Sequence, residues 1–76
     1  MYTIKYKLTP WPRGGIYVSR FHQTIFEERK HNTMTDDKYI RKTAREEAEE
    51  IRKTNSLEKC EVVSITETLI RNVPLE

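Results

Sequence analysis

The stretch MYTIKYKLT, residues 1–9, alternates between two kinds of side chain along its length. Its apolar and aromatic positions are Tyr2, Ile4, Tyr6 and Leu8. The polar positions between them are Thr3, Lys5 and Lys7. Because successive side chains of a strand point to opposite faces, this alternation predicts a strand with one face against a core and the other in water. We therefore expect Lys5 and Lys7 to stand on the solvent face of a sheet.

A loop and a long extended segment follow this strand. Residues 10–15, PWPRGG, combine two prolines that lack an amide donor with two glycines that tolerate positive φ, which predicts a loop. Residues 16–29 then predict one long, bent strand with a bulge near Ser19 and Arg20, because the parity of the apolar side chains changes there. A turn at residues 22–24, which would give two short strands, is the alternative.

Residues 36–54 predict an amphipathic helix. The apolar stripe at helical spacing consists of Ile40, Ala44, Ala48 and Ile51. The charged residues are sorted on the remaining surface. A basic sector holds Lys38, Arg41, Lys42, Arg45, Arg52 and Lys53, and an acidic sector holds Asp36, Glu46, Glu47 and Glu50. This sorting is typical of a solvated helix with pairs four residues apart, and it also suits a contact surface.

The ends of this helix carry capping signals. Thr35 is the expected N-cap, which leaves Asp36 and Asp37 in the first turn beside the positive end of the helix dipole. At the other end, Asn55 is expected to adopt the left-handed conformation, so that Leu57 folds back onto the helix.

Residues 59–71 are rich in β-branched side chains and predict a last strand, with Val63, Ile65 and Leu69 on one face. The predicted order is ββαβ. The predicted fold is an α+β domain in which one helix packs on one face of a three-stranded antiparallel sheet. The chain of 76 residues makes a single domain, assigned to residues 1–74, because Leu75-Glu76 is typical of an expression-tag scar.

The composition indicates the cellular compartment of the protein and the charge of its partner. A single cysteine cannot form an internal disulfide, whereas small secreted domains usually carry several. The sequence has no signal-peptide pattern and no apolar run of the ~18 residues that a membrane helix needs. We therefore expect a cytoplasmic protein without membrane contact. The net charge is +2, and residues 1–31 carry six basic against two acidic side chains, a bias compatible with a polyanionic partner.

A nucleic acid, either DNA or RNA, is the first predicted partner. The solvent face of the sheet would present lysines, and the loop and second strand would add cations for phosphate contacts. The predicted contact residues are Lys5, Lys7, Arg13, Arg20, Arg29 and Lys30. The competing interpretation is a solvated sheet face whose lysines discourage edge-to-edge aggregation.

A protein partner is the second hypothesis. Trp11 is the only tryptophan and lies between two prolines close to Arg13, and both residue types are enriched at interface hot spots. The predicted contacts are Trp11, Arg41 and Arg45. An inhibitor or adaptor, of the kind that phages encode, would use this loop, an edge strand or the charged helix. The competing interpretation places Trp11 at the end of the core.

An enzyme is the least favoured class. The sequence contains no Gly-rich phosphate loop, no paired-cysteine motif and no Ser-His-Asp pattern of familiar spacing. His22 and His31 are the only histidines, and neither has a second ligand type nearby to hold zinc. Cys60 predicts a buried structural thiol. We therefore expect a non-catalytic regulatory or binding module, a monomer or weak homodimer, with no catalytic residue, metal or cofactor.

Overall fold

The computed structural model describes residues 1–12, 23–33, 36–68 and 70–75. The elements in these ranges are β1 (Tyr2–Thr9), β2 (Ile25–His31), α1 (Asp37–Thr54), β3 (Lys59–Glu67) and β4 (Arg71–Val73). The strands form one antiparallel sheet in the order β2-β1-β3-β4. The predicted α+β class, with a helix and an antiparallel sheet, is confirmed. The predicted three strands and ββαβ order are wrong, because the described residues form four strands in the order ββαββ.

The strand β1 lies at the centre of the fold. It pairs with β2 from Tyr2↔His31 to Leu8↔Ile25 and with β3 from Tyr2↔Glu67 to Thr9↔Lys59. Its four apolar and aromatic side chains are fully buried: Tyr2, Ile4, Tyr6 and Leu8. Burying an apolar side chain of this size contributes about 1.5–3 kcal/mol, so the alternation in residues 1–9 places β1 under the helix. Since β2 and β3 both run antiparallel to β1, they are parallel to each other, and α1 is their crossover connection.

The helix packs through the predicted stripe, because Ile40, Ala44, Ala48 and Ile51 are all buried in the core. Its N-cap differs from the prediction. Asp36 is the N-cap, and its carboxylate accepts a hydrogen bond from the backbone N–H of Lys38 at 2.9 Å. A carboxylate at this position both satisfies an orphan amide and faces the positive end of the dipole. Asp37 is therefore the acidic residue of the first turn, and Thr35 lies outside the described residues.

The C-terminal end of α1 also differs by one residue. Asn55 has an ordinary negative φ of −105°, and Ser56 is the left-handed residue, with φ 51°. Two backbone hydrogen bonds close the end of the helix, from Ser56 N–H to the Lys53 carbonyl at 3.3 Å and from Leu57 N–H to the Arg52 carbonyl at 2.9 Å. This arrangement turns the chain so that Leu57 enters the core, as expected from the sequence.

The second strand begins later and ends later than predicted. Within the described residues it starts at Ile25, after a bend at Gln23, and continues to His31. Ile25 pairs with Leu8 and Arg29 pairs with Ile4, so both lie on the sheet face that the helix covers. Residues 16–22, including the expected bulge at Ser19 and Arg20, lie outside the described residues.

The final strand is divided in two. A turn after Glu67 holds Thr68 in the left-handed region at φ 54°, and Ile70 N–H donates to the Glu67 carbonyl at 3.1 Å. The composition hides this turn, because β-branched residues continue through it. β4 then pairs back onto β3 from Ile65↔Val73 to Glu67↔Arg71.

The predicted core face of this segment is wrong in part. The pairing with β1 slips by one residue, so that Lys5 is opposite Ser64 and Tyr6 is opposite Val62. The inserted residue, Val63, is exposed, while Val62 and Cys60 pack against the core beside Ile65. A bulge shifts the parity of all following side chains, which period-two patterning alone does not reveal. Leu69 lies outside the described residues.

No helix in the described ranges has the length and apolar character needed to cross a membrane.

Candidate nucleic-acid interface

The sheet face opposite the helix, here called the open face, is defined by the strand register. Paired residues of an antiparallel ladder project from the same face, so the partners of the alternate β1 positions 3, 5, 7 and 9 share it. The open face carries Thr3, Lys5, Lys7 and Thr9 from β1, Phe26, Glu28 and Lys30 from β2, and Lys59, Glu61, Ser64 and Thr66 from β3. The structure therefore places Lys5, Lys7 and Lys30 together on this face.

Four lysines cross the open face as a diagonal line, here called the lysine line. Lys30 on β2 is opposite Thr3, Lys5 and Lys7 follow on β1, and Lys59 on β3 is opposite Thr9. Each step advances two residues along the strand direction, which is about 6.7 Å, and the strands are about 4.8 Å apart. The line therefore extends about 20 Å along the strand direction and crosses three strands. Three of its members, Lys7, Lys30 and Lys59, are exposed, and Lys5 is half-buried.

The ammonium groups of the lysine line have no carboxylate partner among the residues that the structure describes. The ion pairs formed there involve Arg29, His31, Arg52, Lys53 and Arg71. Glu28 and Glu61 stand opposite Lys5 and Lys7 in the register, one on each side of the line, and neither forms an ion pair. The face thus carries four cations and two anions, with the cations contiguous.

An exposed aromatic ring lies beside the lysine line. Phe26 pairs with Lys7 in the β1–β2 register and is 55% exposed, an unusual position for a phenyl side chain on a polar face. The Nζ atom of Lys5 lies 5.0 Å from the centre of this ring, within the range of a cation–π contact. Neither Phe26 nor Lys59 was predicted from the sequence, because the faces of β2 and β3 are fixed only by their pairing with β1.

Arg29, the remaining predicted contact residue that the structure describes, does not join this face. Arg29 was expected beside Lys30, but it projects from the helix side of the sheet, because neighbouring residues of a strand point to opposite faces. Its Nε atom lies 3.1 Å from Glu27 Oε2, and its Nη1 atom lies 3.7 Å from Glu47 Oε2. The residues Arg13, Arg20 and His22 lie outside the described ranges.

Two of the residues predicted to contact a protein partner, Arg41 and Arg45, lie on α1 and not beside the lysine line. Arg41 donates a hydrogen bond to the carbonyl oxygen of Pro74 at 3.3 Å and is half-buried on α1. Arg45 is exposed on the same helix, and Trp11 is half-buried after β1. The helix covers one face of the sheet and the lysine line crosses the other, so Arg41 and Arg45 belong to a different side of the molecule.

A polar cluster on the helix side surrounds Glu47. The hydroxyl of Tyr6 donates to Glu47 Oε1 at 2.5 Å, and His31 Nε2 lies 3.0 Å from the same oxygen. Burial, reinforced by the Glu47 carboxylate, raises the pKa of Tyr6 far above its usual value. These contacts tie the edge strand and the central strand to α1. The described residues contain no group of three or more His, Cys, Asp or Glu side chains arranged to hold a metal ion.

A second polar cluster lies at the N-terminal end of α1. Arg71 on β4 donates to both oxygens of Asp37, at 2.7 and 2.9 Å, and to Glu67 at 2.9 Å. The Tyr2 hydroxyl also donates to Asp37, at 2.8 Å. Arg71 and then Tyr2 lower the pKa of Asp37 to about 2, while the bond to Asp37 raises the pKa of Tyr2 to about 12. These contacts fasten the short strand β4 to the helix.

Cys60 is half-buried on the helix side of β3. Burial, and then the neighbouring Glu27 carboxylate, raise the pKa of its thiol to about 11. A thiol with this pKa holds little thiolate at neutral pH, so its environment suits packing rather than nucleophilic chemistry.

The chain matches no protein-family model, no curated protein and no solved structure.

Proposed function

We propose that this domain is a small non-catalytic binding module that associates with nucleic acid through the open face. The proposal rests on the lysine line. Its four ammonium groups form no ion pair in the described part of the chain, whereas the arginines that form ion pairs lie on α1 or on the helix side of the sheet. The protein thus uses arginine–carboxylate pairs to hold its fold and leaves a contiguous set of lysines unpaired.

Unpaired lysines suit a polyanion for two physical reasons. Like charges spaced about 7–8 Å apart repel one another, and a bound chain of phosphates relieves this repulsion. In the described part of the chain, these ammonium groups also have no carboxylate partner to give up on binding. Each phosphate contact releases counterions from the nucleic acid, which makes the affinity fall as salt rises. Lysine acts as a flexible point charge, so these contacts position a phosphate backbone without selecting a base sequence.

The test compares variants that remove the same charge from opposite sides of the molecule. Lys7→Gln/Lys30→Gln neutralises two exposed members of the lysine line, and Lys38→Gln/Lys42→Gln neutralises two exposed lysines of α1. Binding of labelled oligonucleotides is measured by fluorescence anisotropy over a range of salt concentrations. Four contacts to a single strand give a slope of log K against log salt of about −2.8, and losing two contacts reduces its magnitude by about 1.4.

We expect Lys38→Gln/Lys42→Gln to keep the wild-type slope of log K against log salt. The proposal is overturned if wild-type protein binds neither single strands nor duplexes at low salt. It is also overturned if both double variants lose affinity equally, because the lysine line would then have no special role.

A further inference from the structure

We propose that the open face selects single-stranded nucleic acid and that Phe26 stacks on one unpaired base. This inference rests on the proposed function and adds the class of nucleic acid to it. The observation behind it is the position of Phe26, whose ring is more than half exposed in a face that is otherwise polar.

A phenyl ring can recognise a base only through its flat surface. It has no donor or acceptor with which to read the edge of a base pair, so its contribution to nucleic-acid binding is stacking. The bases of a duplex are already stacked on each other, and a side chain reaches their flat surfaces only by unstacking a base step, which costs free energy. An exposed phenyl ring beside phosphate-binding lysines therefore favours a strand whose bases are free.

The geometry of the open face agrees with this preference. Phe26 is in register with Lys7 on the neighbouring strand, so the ring lies to one side of the lysine line and not on it. A single strand whose phosphates follow the line can turn a base sideways onto the ring. Base readout in the major groove of a duplex needs an inserted helix or a two-stranded ribbon, and in the described residues the open face belongs to a four-stranded sheet, with the helix on the opposite side.

The contact between Lys5 and Phe26 joins the two parts of the site. The Lys5 ammonium lies over one flat side of the ring, 5.0 Å from its centre, so a base stacks on the opposite side of the ring with this positive charge close by. A nucleotide that stacks on Phe26 brings its own phosphate close to that charge. A second copy of this chain fits the face poorly, since it would set one lysine line against another of the same sign.

The experiment separates base stacking from phosphate binding with single-stranded probes of equal length and charge, and adds a duplex of the same length. Four probes of about 20 units exceed the ~4–16 nucleotide sites of single-strand binders. They are oligo(dT), oligo(rU), an abasic phosphodiester oligomer and a DNA duplex. We expect wild-type protein to bind the two base-containing single strands more tightly than the abasic oligomer and the duplex.

The variant Phe26→Ala then removes the ring from an exposed position. We expect it to lose about 5-fold to 150-fold in affinity for oligo(dT) and oligo(rU), and to keep the wild-type affinity for the abasic oligomer. Phe26→Trp, which retains an aromatic surface, should bind oligo(dT) and oligo(rU) more tightly than the abasic oligomer, as wild-type protein does. Val63→Ala truncates another exposed apolar side chain of the sheet and serves as the matched control, with no loss for any probe.

The possible failures are distinguishable. Equal wild-type affinity for oligo(dT) and the abasic oligomer overturns the stacking inference and leaves the proposed function intact. The stacking inference is also overturned if wild-type protein binds the duplex more tightly than the single strands. It is overturned as well if Phe26→Ala loses the same factor in affinity for all four probes. Failure of wild-type protein to bind any of the four probes at low salt overturns the proposed function itself, and binding to an acidic polypeptide instead would assign the face to a protein partner.

Discussion

Tyr6 and Glu47 connect the centre of the sheet to the helix through a hydrogen bond of 2.5 Å, from the tyrosine hydroxyl to Oε1 of the glutamate. The Tyr6 residue is fully buried, and Glu47 is only half-buried, so the bond lies where the core meets its polar margin. His31 reaches the same carboxylate oxygen from the edge strand. One acidic side chain of α1 therefore links two strands that lie side by side in the sheet.

Removing the Tyr6 hydroxyl should destabilise the fold. Hydrogen bonds to charged groups contribute about 1.5–3 kcal/mol, so Tyr6→Phe should lower the free energy of unfolding by about that amount. Urea denaturation followed by circular dichroism measures the change. Tyr39→Phe is the control, because Tyr39 is 58% exposed on the same helix that carries Glu47, and its substitution should have little effect. Equal stability of the two variants would show that the Tyr6–Glu47 bond contributes nothing.

Thr68 adopts a conformation that its side chain disfavours, and glycine should relieve it. The left-handed region costs a non-glycine residue about 1–2 kcal/mol, part of which is offset by the greater freedom of glycine in the unfolded chain. We expect Thr68→Gly to raise the stability by about 0.5–1 kcal/mol, measured by urea denaturation. Thr66→Gly, within β3, should instead lower it by about 0.5–1 kcal/mol. A destabilised Thr68→Gly would contradict the φ of 54° at this residue.

Stability should fall in acid through the cluster at Asp37. Arg71 and Tyr2 lower its folded pKa to about 2 from an ordinary value of 3.8. A lowered carboxyl pKa contributes stability that is fully present above pH ~4 and is lost as the pH falls towards 2. We expect Asp37→Asn to be clearly less stable than wild type at pH 6, and this difference to shrink as the pH approaches 2.

Thermal unfolding at several pH values measures the effect of Asp37. Arg71 also lowers the pKa of Glu67, so the wild-type loss in acid includes a share that Asp37→Asn does not remove. Glu46→Gln, an exposed position on α1 that forms no ion pair in the described residues, is the control with little change at any pH. A difference between wild type and Asp37→Asn that stays constant from pH 6 to pH 2 would argue against the ionised contact with Arg71.

The thiol of Cys60 should react slowly in the folded protein. At pH 8 a pKa of about 11 leaves about one thiolate in a thousand, against about one in ten at the ordinary pKa of 9.0. Since a thiolate of higher pKa is also more nucleophilic, we expect the folded protein to react with a disulfide reagent at least about 10-fold more slowly than the urea-unfolded chain, as followed by absorbance. Equal rates would mean that burial does not protect this thiol.

The sequence predicted the parts of the fold in which one face is buried and the pattern is local. The alternation of Tyr2, Ile4, Tyr6 and Leu8 identified the central strand, and the spacing of the helical stripe identified the packed face of α1. These patterns work because burial of one face repeats with the period of the element itself. The placement of Lys5 and Lys7 on the sheet face away from the helix followed from the same alternation.

The remaining features depend on pairing between distant segments. Residues Glu27, Glu28, Arg29 and Lys30 in β2 are all charged, so no apolar alternation fixes which of them share the face of Lys5. Pairing with β1 fixes it, and this pairing moved Arg29 to the helix side and brought Phe26 to the open face. The turn at Thr68 and the bulge at Val63 likewise arise from the register between strands, which composition does not encode.

The lysine line is divided among β2, β1 and β3, and this has a consequence for synthesis on the ribosome. The first two of these strands can pair early, but Lys59 joins the line only when β3 pairs with β1, a ladder that links Tyr2 to Glu67 across most of the chain. Such long-range pairing is slow compared with hairpin formation. A nascent chain that still lacks its last third therefore presents only three members of the lysine line. All four are presented together only after this last third has been translated and β3 has paired with β1.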